Sequence, residues 1–188
     1  MGLIMRFVQI LLLAALVALG GCANVGKPAL DPTPANAPYR LDTGDVIRVS
    51  VYNDEQLTNT YGIDDSGHTS IPLVGRIYLR GKTTNQASAL ITARLAEGYL
   101  RDPNVAVEVA TYRPFFIEGE VASSGQFAYV YGMTVRDAIA VAGGFTDVAQ
   151  RTSVTLYRKY DGKVVEQRVA LDFVLMPSDT IVVHERWL

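Results

Sequence analysis

One cysteine and two histidines stand among 188 residues. A single cysteine rules out an internal disulfide framework. Two histidines far apart in sequence, with no Cys/His cluster, argue against a His-rich or thiolate metal site. Neither sign of charge dominates: 17 Lys and Arg face 19 Asp and Glu, for a formal charge of −2. That balance gives no electrostatic case for binding nucleic acid. What the chain does have is apolar material, at 49% of residues. At this length it suffices for the core of one medium domain or two small ones.

The one long apolar run lies at the start. Arg6 supplies a positive lead, and Phe7 to Leu19 is broken only by Gln9. This length suits the core of a signal peptide and is short for a membrane span. It ends in Leu19-Gly20-Gly21-Cys22, which resembles the bacterial lipobox, where a small residue precedes a lipidated cysteine. The plainer alternative is an ordinary signal peptide with an incidental cysteine. Ala23 follows, where Asp would suggest retention at the inner membrane, so sorting to the outer membrane is expected. Arg6 stands where a myristoylation signal needs Ser or Thr. Residues 23–38 carry Pro28, Pro32, Pro34 and Pro38 without a hydrophobic period. Such a stretch is expected to act as an extended tether, at about 3.1 Å per residue.

Compact patterning starts at Tyr39. Asp42-Thr43-Gly44-Asp45 reads as a polar turn, and Ile47, Val49 and Val51 then alternate with Arg48, Ser50 and Tyr52 as in a half-buried strand. Residues 61–71 read as a hairpin turning at Asp65-Ser66-Gly67, with Pro72 ending its second strand. Leu73 to Leu79 is a further short strand. Thr83 and Gln86 form a capping box. The helix it starts runs to about Tyr99, with Ala87, Leu90, Ile91 and Leu95 on one face. After the Asp102-Pro103-Asn104 turn, Val105, Val107 and Val109 alternate as a strand.

The second half opens with a strand over Phe115 to Val121, a turn at Ser124-Gly125 and a return over Gln126 to Tyr131. Thr134 caps a second helix, Asp137 sits in its first turn, and Ala138, Ile139 and Val141 are its expected buried side. Gly143-Gly144 stops it. Residues 155–158 and 164–169 pair around Asp161-Gly162, and Pro177-Ser178-Asp179-Thr180 repeats the turn-plus-strand of the opening. The fold class is therefore α+β: two small β-rich domains behind a signal peptide and tether.

These pieces resemble the bacterial outer-membrane polysaccharide export proteins of the Wza type. Tyr39, Gly44 and Asp45 look like that family's opening motif. Asp65-Ser66-Gly67 with Pro72 and Gly75, then Gly81, then Pro103-Asn104-Val105 continue it in register. Gly119, Gly125, Gly143, Gly144 and Asp179 resemble the soluble-ligand-binding β-grasp (SLBB) domain that follows in the family. Members usually carry Pro-Gly where this chain has Ser124-Gly125. The resemblance implies a signal peptide over 1–21, the lipidated Cys22 and tether over 22–38, an export domain over 39–112 and an SLBB β-grasp over 113–188. It further implies an outer-membrane lipoprotein facing the periplasm that moves polysaccharide, a homo-oligomeric ring, and an inner-membrane chain-length or tyrosine-kinase-type partner. No cofactor, metal or catalytic residue is implied. Larger members end in a pore-lining helix, and no such stretch follows Arg186-Trp187-Leu188, so this chain is not expected to form a pore by itself.

Several patterns hint at other chemistry. Asp42-Thr43-Gly44 is the aspartic-protease tripeptide, but that mechanism needs two such aspartates sharing a proton. Gly75 through Gly81-Lys82-Thr83 misses a phosphate-binding loop by one residue, and Ile77, Tyr78 and Leu79 inside it read as strand. His68 and His184 read as surface or satisfied-core histidines. Among ten tyrosines, Tyr112, Tyr129 and Tyr131 are the candidates for stacking on sugar. A monomeric β-grasp lipoprotein binding a ligand or glycan is the alternative to export.

Overall fold

The computed structural model describes residues 37–160 and 162–187. The expected signal peptide, Cys22 and the expected tether up to residue 36 lie outside the described residues. Among the described residues, ten strands and two helices make two apolar cores, one on each side of a short link at residues 112–114.

The first region opens with β1 (Val46–Val51) and β2 (Asp54–Gly62), an antiparallel hairpin. Alternation places Ile47, Val49 and Val51 in the core, as expected. Strand β2 was not legible: of its nine residues only Leu57 is buried. Its polar side chains are tolerable because β2 is an edge of its sheet. Residues 61–71 do not pair as the hairpin expected. Gly62 ends β2 on one sheet, and β3 (His68–Ile71) belongs to another, paired with β4 (Gly75–Tyr78). The reversal between β3 and β4 passes through Pro72 and Leu73, with Leu73 at φ 65°, so the strand expected from Leu73 starts at Gly75.

Helix α1 (Thr84–Ala96) keeps its capping box: Gln86 donates its N–H to Thr83 Oγ1, and Thr83 N–H donates to Gln86 Oε1. It stops at Ala96 rather than near Tyr99. Ala87, Ile91 and Leu95 are fully buried, and Leu90 packs at the margin. Ser88 ties the helix to β5 (Val105–Thr111) by donating to Val105 O at 2.6 Å. Strand β5 completes the three-stranded sheet in the order β2-β1-β5.

The second region is built on one five-stranded sheet, ordered β7-β6-β10-β8-β9. Its members are β6 (Phe115–Gly119), β7 (Gly125–Phe127), β8 (Ser153–Tyr160), β9 (Lys163–Ala170) and β10 (Thr180–Val183). Strand β7 is shorter than the return expected to Tyr131. Strand β10 runs parallel to β6 and antiparallel to β8. Gly119 lies at φ 88°, and a Cβ there would meet Val183 O at 2.1 Å, so only glycine permits this close strand approach. Helix α2 (Val135–Val141) buries Val135, Ala138 and Ile139. Val141 is 59% exposed, contrary to expectation: Val135, Ala138, Ile139 and Ala142 form the i, i+3, i+4, i+7 buried stripe, and Val141 falls outside it. Phe115, Ile117, Leu156, Leu175 and Ile181 are fully buried. Each such side chain contributes roughly 1.5–3 kcal/mol.

Candidate functional site

The sequence motif around Tyr39 folds into the seam between the two cores. Asp45 N–H donates to Asp42 O at 3.1 Å, closing a turn in which Gly44 takes φ 90°. A Cβ on Gly44 would stand 3.3 Å from Arg113 Cγ, so glycine also leaves room for that side chain. The turn points the Asp45 carboxylate inward, where it is fully buried. Asp45 Oδ2 accepts from Tyr39 OH at 2.7 Å and from Asp42 N–H at 2.9 Å. Its Oδ1 accepts from Arg113 Nε at 3.1 Å and from Arg113 N–H at 3.3 Å. A buried charge survives only when it is paired and hydrogen-bonded, and here both oxygens are.

Arg113 also donates Nη1 to Asp42 Oδ2 at 3.1 Å and Nη2 to Tyr39 OH at 3.2 Å. Asp42 in turn holds Arg80, Nε to Oδ1 at 3.0 Å. Arg80 reaches Thr43 Oγ1 and, at 2.7 Å, Asp65 O. The network thus ties the opening turn to the link behind it and to the turn before β3. Burial pushes the Tyr39 phenol well above its usual range; the Arg113 contact works against this, and the Asp45 carboxylate adds to it. Burial works against the Arg113 charge, but Tyr39, Asp45 and Asp42 outweigh it and hold its pKa up.

An aromatic row continues the seam. Tyr39 meets Tyr112 edge to face at 4.9 Å, and Tyr112 meets Tyr129 at 5.5 Å. Tyr129 is part of the second core, and its hydroxyl donates to Leu175 O at 3.0 Å. Tyr131 is exposed and donates to Ala37 O at 2.6 Å. Beside them lies a cavity of about 180 Å³ lined by Pro38, Tyr39, Arg40, Tyr129, Tyr131 and Met176, among others. Of the three tyrosines singled out for sugar, Tyr129 is buried, Tyr112 is half-buried, and Tyr131 is exposed.

The second region carries a counterpart of the opening turn. Asp179 N–H donates to Met176 O at 3.2 Å, with Ser178 at φ 70°. Asp179 is 1% exposed. It takes a two-pronged contact from Arg158, Nε at 2.9 Å and Nη2 at 2.7 Å, plus Met176 N–H at 2.7 Å. Arg158 also lies 5.3 Å from the Phe173 ring centre. Burial pushes the Asp179 carboxyl upward, and the Arg158 pair opposes that. Neither arginine was singled out in the sequence, because arginines are common and each partner is remote in the chain.

The remaining motif glycines, Gly67, Gly75, Gly81, Gly125, Gly143 and Gly144, all sit at positive φ in turns or at strand ends. Pro72 follows the last residue of β3. The Asp42-Thr43-Gly44 tripeptide is engaged in ion pairs with Arg80 and Arg113. The near phosphate loop is interrupted by β4 and is not a loop. His68 Nδ1 lies 3.0 Å from Ser66 Oγ, and Ser66 Oγ donates to Asp64 at 2.5 Å. The Ser66 hydroxyl heads the groups that hold the exposed Asp64 carboxyl well below its usual range, followed by the His68 N–H. His184 Nε2 pairs with Thr155 Oγ1 at 2.7 Å. Among the described residues no helix is long and apolar enough to cross a membrane.

Comparison with known proteins adds the context. The profile of the polysaccharide biosynthesis/export protein family matches residues 33–110, and that of the SLBB domain matches residues 114–168. The exopolysaccharide production protein ExoF of Rhizobium meliloti (strain 1021) is 32% identical over 150 residues, 73% of this chain and 33% of that protein. The EPS I polysaccharide export outer membrane protein EpsA of Ralstonia solanacearum is 30% identical over 154 residues, 66% of this chain and 41% of its own. The polysialic acid transport protein KpsD of Escherichia coli is 25% identical over 162 residues, 80% of this chain and 29% of its own. The chain therefore spans between 29% and 41% of the length of these relatives. Arg113 falls between the two matched stretches, at the seam just described. With both domains matched in order, the chain belongs to the polysaccharide biosynthesis/export family, its family domain followed by an SLBB domain.

Proposed function

We propose that the chain is a non-enzymatic component of an exopolysaccharide or capsular polysaccharide export machinery, on the periplasmic side of the outer membrane. The observation that carries this reading is the order of the two matched domains, export then SLBB, across residues 33–168. Cys22 would carry the lipid and residues 23–38 would hold the folded part off the bilayer. Subunits would assemble into a ring, which needs a heterologous interface that closes on itself. An inner-membrane chain-length or tyrosine-kinase-type protein would deliver the polymer. A long polymer in transit needs weak, repeated contacts rather than one tight site, and an exposed tyrosine such as Tyr131 suits such a contact. Deleting the gene is expected to trap polymer in the periplasm. Unchanged surface polysaccharide in that strain would remove the reading.

A monomeric glycan- or ligand-binding module is the second reading, favoured by the cavity beside Tyr131. The hydroxyls around it are already engaged: Tyr131 with Ala37 O, Tyr129 with Leu175 O, Tyr39 with Asp45. Light scattering on the delipidated protein separates the two readings. A large, stable particle supports export, and a monomer at every concentration supports the module.

A further inference from the structure

Four buried residues recur in the two regions with the same spacing. Leu41, Asp45, Ile47 and Val49 correspond to Leu175, Asp179, Ile181 and Val183, and all eight are at most 1% exposed. Both turns close with the same backbone bond, 3.1 Å and 3.2 Å, and both set the residue before the aspartate at positive φ. In both, a backbone N–H three residues earlier donates to the carboxylate, at 2.9 Å and 2.7 Å. They differ in where the cation comes from. Asp179 takes Arg158 from β8, in the same five-stranded sheet. Asp45 takes Arg113 from the link that joins the two regions.

That link is fastened to both sides in alternation. The Tyr112 ring packs on the second core and on Tyr129. The Arg113 side chain goes to Asp45, Asp42 and Tyr39 of the first region. Pro114 O accepts from Ser178 N–H at 2.8 Å, in the second region's own aspartate turn, and Phe115 is fully buried beyond it. We infer that Arg113 is a coupling pin: it completes the buried turn of the first region and, through the same link, fixes that region's angle to the second. A movement that draws the link off the turn leaves Asp45 buried without its cation and loosens β1. The second region keeps Arg158 and is unaffected.

The test compares Arg113→Met with wild type in the full chain, by hydrogen exchange and by residual dipolar couplings. Arg113→Met is expected to lower protection over residues 41–51 by roughly 10- to 100-fold, the effect of stranding a buried charged acceptor. Protection in β6, β8 and β10 stays at the wild-type level. One alignment tensor fits both regions of the wild type, and two are needed for the variant. Asp45→Asn combined with Arg113→Met removes the buried charge, so protection over 41–51 returns while two tensors remain. Should Arg113→Met not fold, Arg113→Lys keeps the charge without the two-pronged reach, and a fall of about 3- to 10-fold over 41–51 is expected. An equal fall in both regions, wild-type protection in Arg113→Met and Arg113→Lys, or a single tensor for either Arg113→Met chain overturns the inference.

Discussion

The two regions spend their buried charges differently. The second satisfies Asp179 from within: Arg158 reaches it from the adjacent strand, and the pair is almost fully buried. The first satisfies Asp45 from the link, and passes the network outward through Asp42 to Arg80, where side-chain exposure rises above 40%. One region is thus a five-stranded sheet and a helix with its own internal ion pair. The other is a three-stranded sheet, a hairpin and a helix, held partly by charges at its boundary. Where the partner of a buried charge resides decides whether a domain's stability is its own or shared.

The sharpest way to break the comparison is Arg158→Ala. It strands Asp179 in the second core and is expected to cost about 3–5 kcal/mol, measured by denaturant unfolding. Replacing both partners, Arg158→Met with Asp179→Leu, should recover most of that loss. Next is Gly119→Ala. The added methyl meets Val183 O and the backbone is held at positive φ, so a loss of about 2–3 kcal/mol is expected, again confined to the second region.

Tyr39→Phe probes the seam more gently. It removes one hydrogen bond to Asp45 and one from Arg113, for a loss of about 1 kcal/mol. It also has a pH signature. The folded state holds the Tyr39 proton more tightly than the unfolded chain, where a phenol titrates near pH 10. The stability from the neutral phenol is therefore complete below about pH 10 and is lost as pH rises above it. Wild type and Tyr39→Phe melting curves should converge above that point, and parallel curves up to pH 12 would remove Tyr39 from the seam's energetics. The smallest effect is expected at Arg76, whose ion pair with Asp64 is exposed on both sides. Arg76→Ala should leave the melting midpoint within measuring scatter, in low salt and high salt alike.

Much of this architecture was readable in the chain. Strand β1 and both helix starts declared themselves, because alternation and Thr caps are local signals: Thr83 with Gln86, Thr134 with Asp137. The β8–β9 hairpin did so through Val164 to Val169 around Asp161-Gly162. Strand β2 did not, since an edge strand with one buried residue carries no apolar period. The hairpin at 61–71 was misassigned because Asp65-Ser66-Gly67 is a turn between two sheets, and a turn motif does not say which strands pair across it. Of the site, Tyr39, Gly44 and Asp45 were visible as a motif. Arg113 was not, lying 68 residues from Asp45 in sequence, nor was Arg158, 21 residues from Asp179. Ion pairing over such separations leaves no mark in local spacing.

The export role is tested most directly by the amount of surface polysaccharide in a deletion strain carrying one of three chains. Wild type and Asp42→Asn should both restore it, since Asp42 closes a turn and pairs with Arg80 and Arg113. Cys22→Ser should leave the polymer in the periplasm and the protein free of the outer membrane. Full restoration by Cys22→Ser, or loss of export in a folded Asp42→Asn protein, would contradict the account.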